Sequence, residues 1–357
     1  MKKKRVALVG ATGVAGQQFL EALENHPWFE LTAIAGSQRS AGKPYIDAIK
    51  TENGHCQWYG AKDLPPIYAR MPVVTADEID VNGVDIVFTA VDSDTAKEIE
   101  PKFAKYKPTI STASAFRMAE DVPLLIPGVN SNHHALIRHQ QEIRNWKGFI
   151  VPIPNCTTYG LACSLAPIQQ KFGIDLVAMT SMQAVSGAGR GGGVLSLDML
   201  DNIIPFISGE EEKVEQEVKK IFGTLQGTGV KPADVKITAT CTRVPVVDGH
   251  TEAVFVKTKS PCTVSAVKAC FEEYDPKLQG LPTAEKNFFR IYDDPYHPQP
   301  RLDRDKDGGM STHIGRLRED KALGGVKYVL LSHNTKAGAA KGAILIAEYL
   351  CKEGFIP

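Results

Sequence analysis

The chain has 357 residues, and its 41 Lys and Arg residues balance its 41 Asp and Glu residues. A formal net charge of zero provides no overall field for gathering nucleic acid or an anionic membrane surface. The composition, 43% hydrophobic and 23% charged, is typical of a soluble globular protein, for which we expect a cytoplasmic location. Because single hydrophobic cores rarely grow beyond about 250–300 residues, two domains are expected.

The N-terminal part alternates strand-like and helix-like patterns. Residues 5–9 predict a buried strand, and apolar runs follow at residues 31–35, 84–90 and 109–112, with helix-like or irregular segments between them. Ser93 is predicted to be the N-cap of one of these helices. Strands that alternate with helices indicate a parallel, doubly wound sheet of the Rossmann-like α/β class.

From about Val177 the pattern changes to longer strands with alternating polarity, such as residues 236–241 and 253–257. Such alternation predicts a mixed or antiparallel sheet with one exposed face, and hence a second, α+β domain. Residues 210–222 are charged but carry apolar side chains at helical spacing, which predicts a surface helix. A further apolar-faced helix is predicted at residues 338–351.

A glycine-rich turn directly follows the first predicted strand. Gly10, Gly13 and Gly16 have the three-residue spacing of dinucleotide-binding turns, in which glycines let the backbone approach a pyrophosphate at a helix N-terminus. The alternative is a tight turn with a structural role alone. The spacing and the strand-turn-helix setting favour cofactor binding, with these contact residues: Gly10, Thr12, Gly13, Val14 and Ala15.

The second predicted strand ends in a loop that contains Ser37, Arg39 and Ser40 and has no acidic residue. An NAD site normally has an acid here to bind the ribose 2′-hydroxyl, whereas hydroxyls and an arginine suit the 2′-phosphate of NADP. The loop therefore predicts NADP(H), and the alternative is an exposed polar loop.

Cys156 lies between a strand-like run at residues 149–153 and a helix-like run that starts at Leu161. A helix N-terminus stabilises a thiolate, so we predict a nucleophile at neutral pH, and the alternative is an inert buried thiol. The other six cysteines are predicted to be packing residues. Their spacing matches no zinc pattern, and neither a metal site nor a disulfide framework is predicted.

Three further segments carry candidate polar groups. Arg243 and His250 flank a predicted turn at Asp248-Gly249, and histidine is the usual proton carrier beside a thiol. Arg117 ends a polar loop after a strand and is a candidate anion contact. The glycine-rich segment 186–193 predicts a loop with exposed backbone groups.

Taken in order, these segments resemble the aspartate-semialdehyde dehydrogenase family, and especially its archaeal and fungal branch. The resemblance rests on the Asn-Cys-Thr-Thr segment at 155–158, Gln183 and the Arg-Val-Pro-Val-Val-Asp-Gly-His-Thr-Glu run at 243–252. It implies an arrangement like that of glyceraldehyde-3-phosphate dehydrogenase. Residues 1–155 and 333–357 would form the nucleotide domain, and residues 156–332 would form the catalytic and dimerisation domain.

The resemblance also implies roles for single residues. Cys156 would attack the acyl carbon of aspartyl-4-phosphate, His250 would act as general acid and base, and Gln183 would orient the acyl group. Arg243 would bind the substrate α-carboxylate, and Arg117 the phosphate. Lys213 and Glu210 would line the phosphate and amino-group side of the site. The residues near the nicotinamide end of NADP would be Ser186, Gly187, Gly189 and Asn334. Amide groups at the helix start, with Asn155, are candidate donors to the oxyanion.

The implied activity is the reversible, NADPH-dependent reduction of aspartyl phosphate to aspartate semialdehyde, in the biosynthesis of Thr, Met, Ile and Lys, by a homodimer or homotetramer. The alternatives are a related acyl-CoA or N-acetylglutamyl-phosphate reductase, and a non-catalytic NADP-binding regulatory protein. Arg117 and Lys213, as phosphate ligands, argue against a coenzyme-A substrate. One departure from the family is Gly128, where many relatives carry Glu, and the contacts of that loop stay open.

Overall fold

The computed structural model describes residues 2–189 and 196–357, so the part of the predicted glycine-rich loop at 190–193 lies outside the described residues. The strands are β1 (Lys4–Val9), β2 (Phe29–Ala35), β3 (Val73–Val74), β4 (Ile86–Thr89), β5 (Pro108–Ser111), β6 (Phe149–Pro152), β7 (Ile174–Gln183), β8 (Thr224–Gln226), β9 (Gly229–Lys231), β10 (Lys236–Arg243), β11 (His250–Thr258), β12 (Phe289–Tyr292), β13 (Thr312–Asp320) and β14 (Gly325–Ser332). The helices are α1 (Val14–Leu23), α2 (Tyr45–Ala48), α3 (Pro66–Ala69), α4 (Ser93–Ala104), α5 (Leu136–Arg144), α6 (Cys156–Phe172), α7 (Ser196–Met199), α8 (Glu210–Ile221), α9 (Val264–Glu272), α10 (Pro300–Asp303) and α11 (Ala340–Lys352).

The N-terminal strands form a parallel sheet with the order β3-β2-β1-β4-β5-β6. The predicted strands at 5–9, 31–35, 84–90 and 109–112 are confirmed as β1, β2, β4 and β5. Their apolar runs are continuous because both faces of a parallel sheet are covered. The strand order reverses between β1 and β4, which opens a crevice at the carboxyl ends of these strands.

The start of α4 differs from the prediction by one residue. Asp92, rather than Ser93, is the N-cap, and its carboxylate accepts the backbone N–H groups of Asp94 and Thr95 at 3.1 and 2.9 Å. Either side chain can cap a helix, but a carboxylate also interacts favourably with the helix dipole. Ser93 is therefore the first helical residue.

The second sheet is mixed and has the order β10-β7-β11-β14-β13-β12. The β7–β10 and β12–β13 pairs are parallel, and the other neighbours are antiparallel. The predicted α/β fold with a parallel nucleotide-binding sheet and a mixed second sheet is therefore confirmed. In the part of the chain that the structure describes, no helix has the length and apolar character needed to cross a membrane.

Helix α8 is confirmed within the predicted segment 210–222. It is not the surface helix that the spacing alone predicts, and the family resemblance, which implies site roles for Glu210 and Lys213, already overrules that interpretation. It buries apolar and charged side chains together: Val214, Val218 and Ile221; Glu210, Glu217 and Lys220. Burial of charged groups requires paired partners, and these partners come from the segments that face α8. The helix thus belongs to the site described below.

Helices α6 and α11 join the two sheets. Helix α6 begins at Cys156, directly after β6, and crosses the mixed sheet, so that Leu161 and Leu165 belong to the core of that sheet. Tyr159 and Cys163 of the same helix belong to the core around the parallel sheet. The predicted C-terminal helix is confirmed as α11, which packs against α1 and β5. Helix α6 therefore packs in both cores, whereas α11 returns the chain from β14 to the parallel sheet.

Candidate active site

The carboxyl ends of the parallel strands and one edge of the mixed sheet meet at a cleft of about 610 Å³. The cleft brings together predicted site residues from distant parts of the chain: Gly13, Val14, Ala15, Arg117, Asn155, Cys156, Ser186, Gly187, Gly189, Lys213 and Asn334. Buried predicted residues reach the same region through hydrogen bonds and close approaches described below: Gln183, Glu210, Arg243 and His250. The structure thus brings these predicted residues together around one cleft.

Cys156 is the first residue of α6, and Asn155 is its N-cap. The side-chain oxygen of Asn155 accepts the backbone N–H groups of Thr157 at 2.9 Å and Thr158 at 3.4 Å. Its amide nitrogen donates to Glu210 Oε2 at 2.9 Å. The N–H groups of Thr157 and Thr158, which were expected oxyanion donors, are therefore already bound to the cap. The backbone N–H of Cys156 is the helix-start donor that the Asn155 side chain leaves free.

His250, the first residue of β11, is fully buried, and its Nε2 lies 3.1 Å from Cys156 Sγ. The backbone N–H of Ala184 donates to His250 Nδ1 at 3.0 Å. Because an amide N–H can only donate, Nδ1 must be unprotonated and the proton of the neutral ring is on Nε2, facing the sulfur. Burial, helped by the positive charge of Arg243, lowers the pKa of His250 to about 3, so the ring is neutral at physiological pH.

The electrostatics of the thiol differ from the sequence prediction. Burial and the Glu210 carboxylate raise the pKa of Cys156 above its ordinary value. Arg117, Arg243 and the N–H of Thr157 act in the opposite direction but do not outweigh them. The raised pKa argues against a thiolate at neutral pH in the ligand-free protein, because desolvation disfavours the charged form more than the helix start favours it.

Gln183 and Arg243 lie side by side, since they are paired at the ends of the parallel strands β7 and β10. Arg243 Nη1 donates to the carbonyl of Ala184 at 2.7 Å, and Gln183 Nε2 donates to Ser181 Oγ at 3.2 Å. Gly187 lies close by, and a Cβ there would be 3.0 Å from Arg243 Nη1 and 3.3 Å from the His250 ring. A glycine at 187 thus leaves room for both side chains.

Arg117 is buried and held from two sides. Its Nη1 donates to Glu217 Oε1 at 3.0 Å, and its Nη2 donates to the carbonyl of Thr112 at 2.8 Å. Its Nε is buried and has no hydrogen-bond partner among the described residues, so the guanidinium keeps one N–H that no described group of the protein accepts. Lys213 lies at the same cleft, where its Nζ donates to Glu210 Oε1 at 3.0 Å.

The predicted cofactor turn has the geometry of a diphosphate cradle. Gly10 has φ +86°, and a Cβ there would lie 2.3 Å from the carbonyl oxygen of Ala90. A Cβ at Gly16 would lie 2.2 Å from the carbonyl oxygen of Gly10. Gly13 is the N-cap of α1 and makes no side-chain cap, which leaves backbone N–H groups of the first turn for an anion. These residues therefore fit a dinucleotide.

The loop after β2 lies beside this turn, because a Cβ at Gly36 would be 3.6 Å from the Thr12 methyl group. Ser37 and Arg39 are exposed, whereas Ser40 is buried. Arg39 lines a second hollow, of about 520 Å³, together with Lys43, rather than the cleft at Cys156. Of the predicted 2′-phosphate residues, Arg39 thus lines a separate hollow near the glycine turn, which contains Lys43 and Lys50 but also Asp47 and Glu52.

Asn334 is predicted to lie near the nicotinamide, and both its side-chain oxygen and its side-chain nitrogen form hydrogen bonds to other residues of the protein. Its oxygen accepts the N–H of Gly249 at 2.8 Å, and its nitrogen donates to Ser186 Oγ at 2.8 Å. It therefore ties the turn before His250 to the loop that begins at Ser186.

Gly128 lies outside this cleft. It has φ +89°, and a Cβ there would be 2.8 Å from Pro276 Cβ. Its carbonyl accepts the hydroxyl of Tyr274 at 2.5 Å. A glycine suits this backbone conformation, and the departure from the family pattern leaves the residues around Cys156 untouched.

Sequence reasoning missed several residues of the site. Glu217 contacts both Arg117 and Asn155, and a Cβ at Gly338 would lie 3.0 Å from Cys156. The signal for Glu217 was present, because Glu210, Lys213, Glu217 and Lys220 recur at three- and four-residue spacing and so share one face of α8. The spacing alone did not show that this face is buried.

Two family models match the chain: "Semialdehyde dehydrogenase, NAD binding domain" over residues 5–137 and "Semialdehyde dehydrogenase, dimerisation domain" over residues 165–336. An aspartate-semialdehyde dehydrogenase of Archaeoglobus fulgidus is 47% identical over 98% of this chain and 99% of that protein. The solved structure of aspartate semialdehyde dehydrogenase with NADP from Candida albicans is 40% identical, covers 99% of this chain and all of its own, and superposes with a TM-score of 0.89. The Vibrio cholerae enzyme II, complexed with ASA, is 27% identical, covers 99% of this chain and all of its own, and has a TM-score of 0.78. The chain therefore belongs to the aspartate-semialdehyde dehydrogenase family.

Proposed function

We propose that this protein catalyses the reversible NADPH-dependent reduction of L-aspartyl-4-phosphate to L-aspartate-4-semialdehyde and phosphate, through a thioester on Cys156. The observation that carries the proposal is the contact of 3.1 Å between Cys156 Sγ and His250 Nε2 at a helix start, in a cleft that also holds Arg117 and Lys213. A sulfur nucleophile, an imidazole and fixed cations are the groups that acyl transfer from a phosphate requires.

In the first step the Cys156 sulfur forms a bond to the acyl carbon, and the bond from that carbon to the phosphate oxygen breaks. The thiol proton leaves with the released phosphate, so the products are the thioester and hydrogen phosphate. The negative charge that develops on the carbonyl oxygen is stabilised by the N–H of Cys156, with Gln183 orienting the acyl group. His250 begins as an N–H donor to the sulfur, an arrangement that stabilises the thiolate as it forms and again when it is released. Before His250 acts as a base, its proton must leave Nε2.

NADPH, when bound, supplies the hydride that reduces the thioester to the aldehyde. The residues that would hold its diphosphate are Gly10, Thr12, Gly13, Val14 and Ala15, and the cradle at α1 fits such a group. Ser37, Arg39 and Ser40 would bind the 2′-phosphate, and Ser186, Gly187, Gly189 and Asn334 lie where the nicotinamide would reach Cys156.

Arg117 and Arg243 are proposed to bind opposite ends of the substrate. Arg117, with a free Nε donor and Lys213 at the same cleft, supports a phosphate position. Arg243 and the His250 ring both lie beside Gly187, which supports a role for Arg243 in binding the α-carboxylate. Glu210, which accepts the side-chain amide of Asn155, would be on the amino-group side.

We further propose that residues 1–155 and 333–357 form the nucleotide domain and residues 156–332 the catalytic and dimerisation domain, since the two sheets divide in this way. The mixed-sheet face opposite the buried Val254 and Val256 carries half-buried apolar side chains, including Met182, Phe255 and Val329. That face supports a homodimer or homotetramer. A cytoplasmic role in the biosynthesis of Thr, Met, Ile and Lys completes the proposal.

The test is an assay of NADP reduction with aspartate semialdehyde and varied inorganic phosphate or arsenate. We expect turnover to require the anion. Arg117→Leu should raise the phosphate KM, and Arg243→Leu should raise the aldehyde KM, each by the equivalent of about 2–5 kcal/mol, the range for loss of one partner of a buried charged pair. Phosphate-independent turnover with free coenzyme A as acceptor would instead identify an acyl-CoA reductase.

A further inference from the structure

Helix α8 presents a buried carboxylate that the mechanism above does not use. Glu217 is almost fully buried, and its two oxygens bind two different segments of the chain. Oε1 accepts Nη1 of Arg117 at 3.0 Å, and Oε2 accepts the backbone N–H of Asn155 at 2.7 Å. One rigid group therefore joins the loop that follows β5 to the residue directly before the nucleophile.

Lys220, one turn further along α8, forms hydrogen bonds to the same loop. Its Nζ donates to the carbonyl oxygens of Arg117 at 2.8 Å and Ala119 at 2.7 Å. Glu217 and Lys220 thus hold Arg117 by its guanidinium and by its backbone. Burying charged groups is costly unless all of them are paired, so removal of either partner leaves an uncompensated buried charge.

The guanidinium plane of Arg117 is fixed by two anchors, Glu217 Oε1 on Nη1 and the Thr112 carbonyl on Nη2. Within the part of the chain that the structure describes, these anchors leave Nε without a hydrogen-bond partner. An arginine held in this way is already oriented for an anion, whereas an unanchored side chain would have to be ordered on binding.

We infer that Glu217 is a positioning residue, which sets the distance between the phosphate-binding Arg117 and the Cys156 nucleophile by bonding to the segments that carry both. It does not touch the substrate, and it acts through Arg117 and Asn155. This inference rests on the proposed function, because it requires Arg117 to be the phosphate ligand.

The test compares the full-length Glu217→Gln variant with Glu212→Gln, a matched change at an exposed position of α8. In the oxidative direction, Glu217→Gln should raise the phosphate KM about 10- to 100-fold, the value of one charge-assisted hydrogen bond. Its NADP KM should stay within about twofold of wild type, since the cofactor cradle is elsewhere. Glu212→Gln should have wild-type constants. A loss of fold alone would not raise one KM selectively.

A double-mutant cycle with Arg117→Leu gives the second readout. Because Glu217 acts through Arg117, adding Glu217→Gln to Arg117→Leu should raise the phosphate KM by less than about twofold. If Glu217→Gln has a low circular-dichroism signal, Glu217→Asp, which keeps the buried charge but shortens its reach, is measured with the same expectation.

The outcomes separate the two proposals. A wild-type phosphate KM in both Glu217 variants, or fully additive effects in the cycle, with Arg117→Leu impaired, overturns the role of Glu217 alone. If Arg117→Leu leaves the phosphate KM unchanged, or turnover needs no phosphate, the proposed function fails instead.

Discussion

The structure predicts that Glu210 suppresses the reactivity of Cys156 in the ligand-free protein. Burial, followed by the Glu210 carboxylate, raises the pKa of the thiol from an ordinary value of 9.0 to about 12. Such a rise disfavours the thiolate by at most about 4 kcal/mol, or roughly a thousandfold in its population at neutral pH. Replacing Glu210 with Gln removes one negative charge near the sulfur and should lower the pKa of Cys156.

The assay is alkylation of Cys156 by iodoacetamide, followed by peptide mass spectrometry between pH 6 and 10. Wild-type labelling should be slow at pH 7 and should rise about tenfold per pH unit without a plateau, since only the thiolate reacts. Glu210→Gln should label about tenfold faster at each pH, whereas the exposed Glu212→Gln should match wild type. No inflection near pH 6.5 is expected, because the pKa of His250 is lowered to about 3.

Two results would refute this reasoning. A plateau in wild-type labelling below pH 9 would show that the thiolate is already favoured in the free protein, as the sequence alone predicted. Identical profiles for wild type and Glu210→Gln would show that burial, and not the carboxylate, sets the reactivity.

Arg39→Ala should reduce the ratio of NADP to NAD efficiency about 10- to 100-fold, the value of one charged hydrogen bond, and a wild-type ratio in steady-state kinetics would exclude a 2′-phosphate site in this loop. Cys156→Ala should abolish turnover with NADP binding intact, and mass spectrometry of wild type with acyl phosphate but without NADPH should find the adduct on Cys156, not on Cys163. His250→Ala should retain measurable kcat, about 10²–10⁴-fold reduced. Asn334→Ala should lower the free energy of unfolding, measured in urea, by about 1–3 kcal/mol, because it leaves the buried N–H of Gly249 unpaired. The same variant should lose more in kcat than in NADP affinity. A larger loss in NADP affinity would indicate a direct contact between Asn334 and the cofactor.

The sequence was most informative where one local pattern determines one local structure. The strands β1, β2, β4 and β5 follow from continuous apolar runs. The cradle follows from the glycine spacing, since at Gly10 and Gly16 only glycine tolerates the close approaches found there. The N-cap of α4 was missed by one residue because Asp92 and Ser93 are both good caps, and the choice depends on the path of the chain into the helix.

Long-range features of the site could not be obtained in this way. His250 is 94 residues from Cys156 in the chain, and only the family resemblance paired them before the structure did. The raised pKa of Cys156 depends on burial and on Glu210, which are set by the packing of α8. For the same reason Glu217 resembled a solvated charge until its partners, Arg117 and Asn155, were placed beside it.

The position of the nucleophile follows from the topology of the two sheets. Helix α6 starts at the carboxyl end of β6 and then crosses the mixed sheet, so Cys156 lies where the parallel sheet ends and the other begins. His250 reaches it from the start of β11, and α8 reaches it through Asn155. None of these contacts lies within one sheet. The geometry around Cys156 therefore requires both sheets to be folded and joined, because either sheet alone would lack His250 or Arg117.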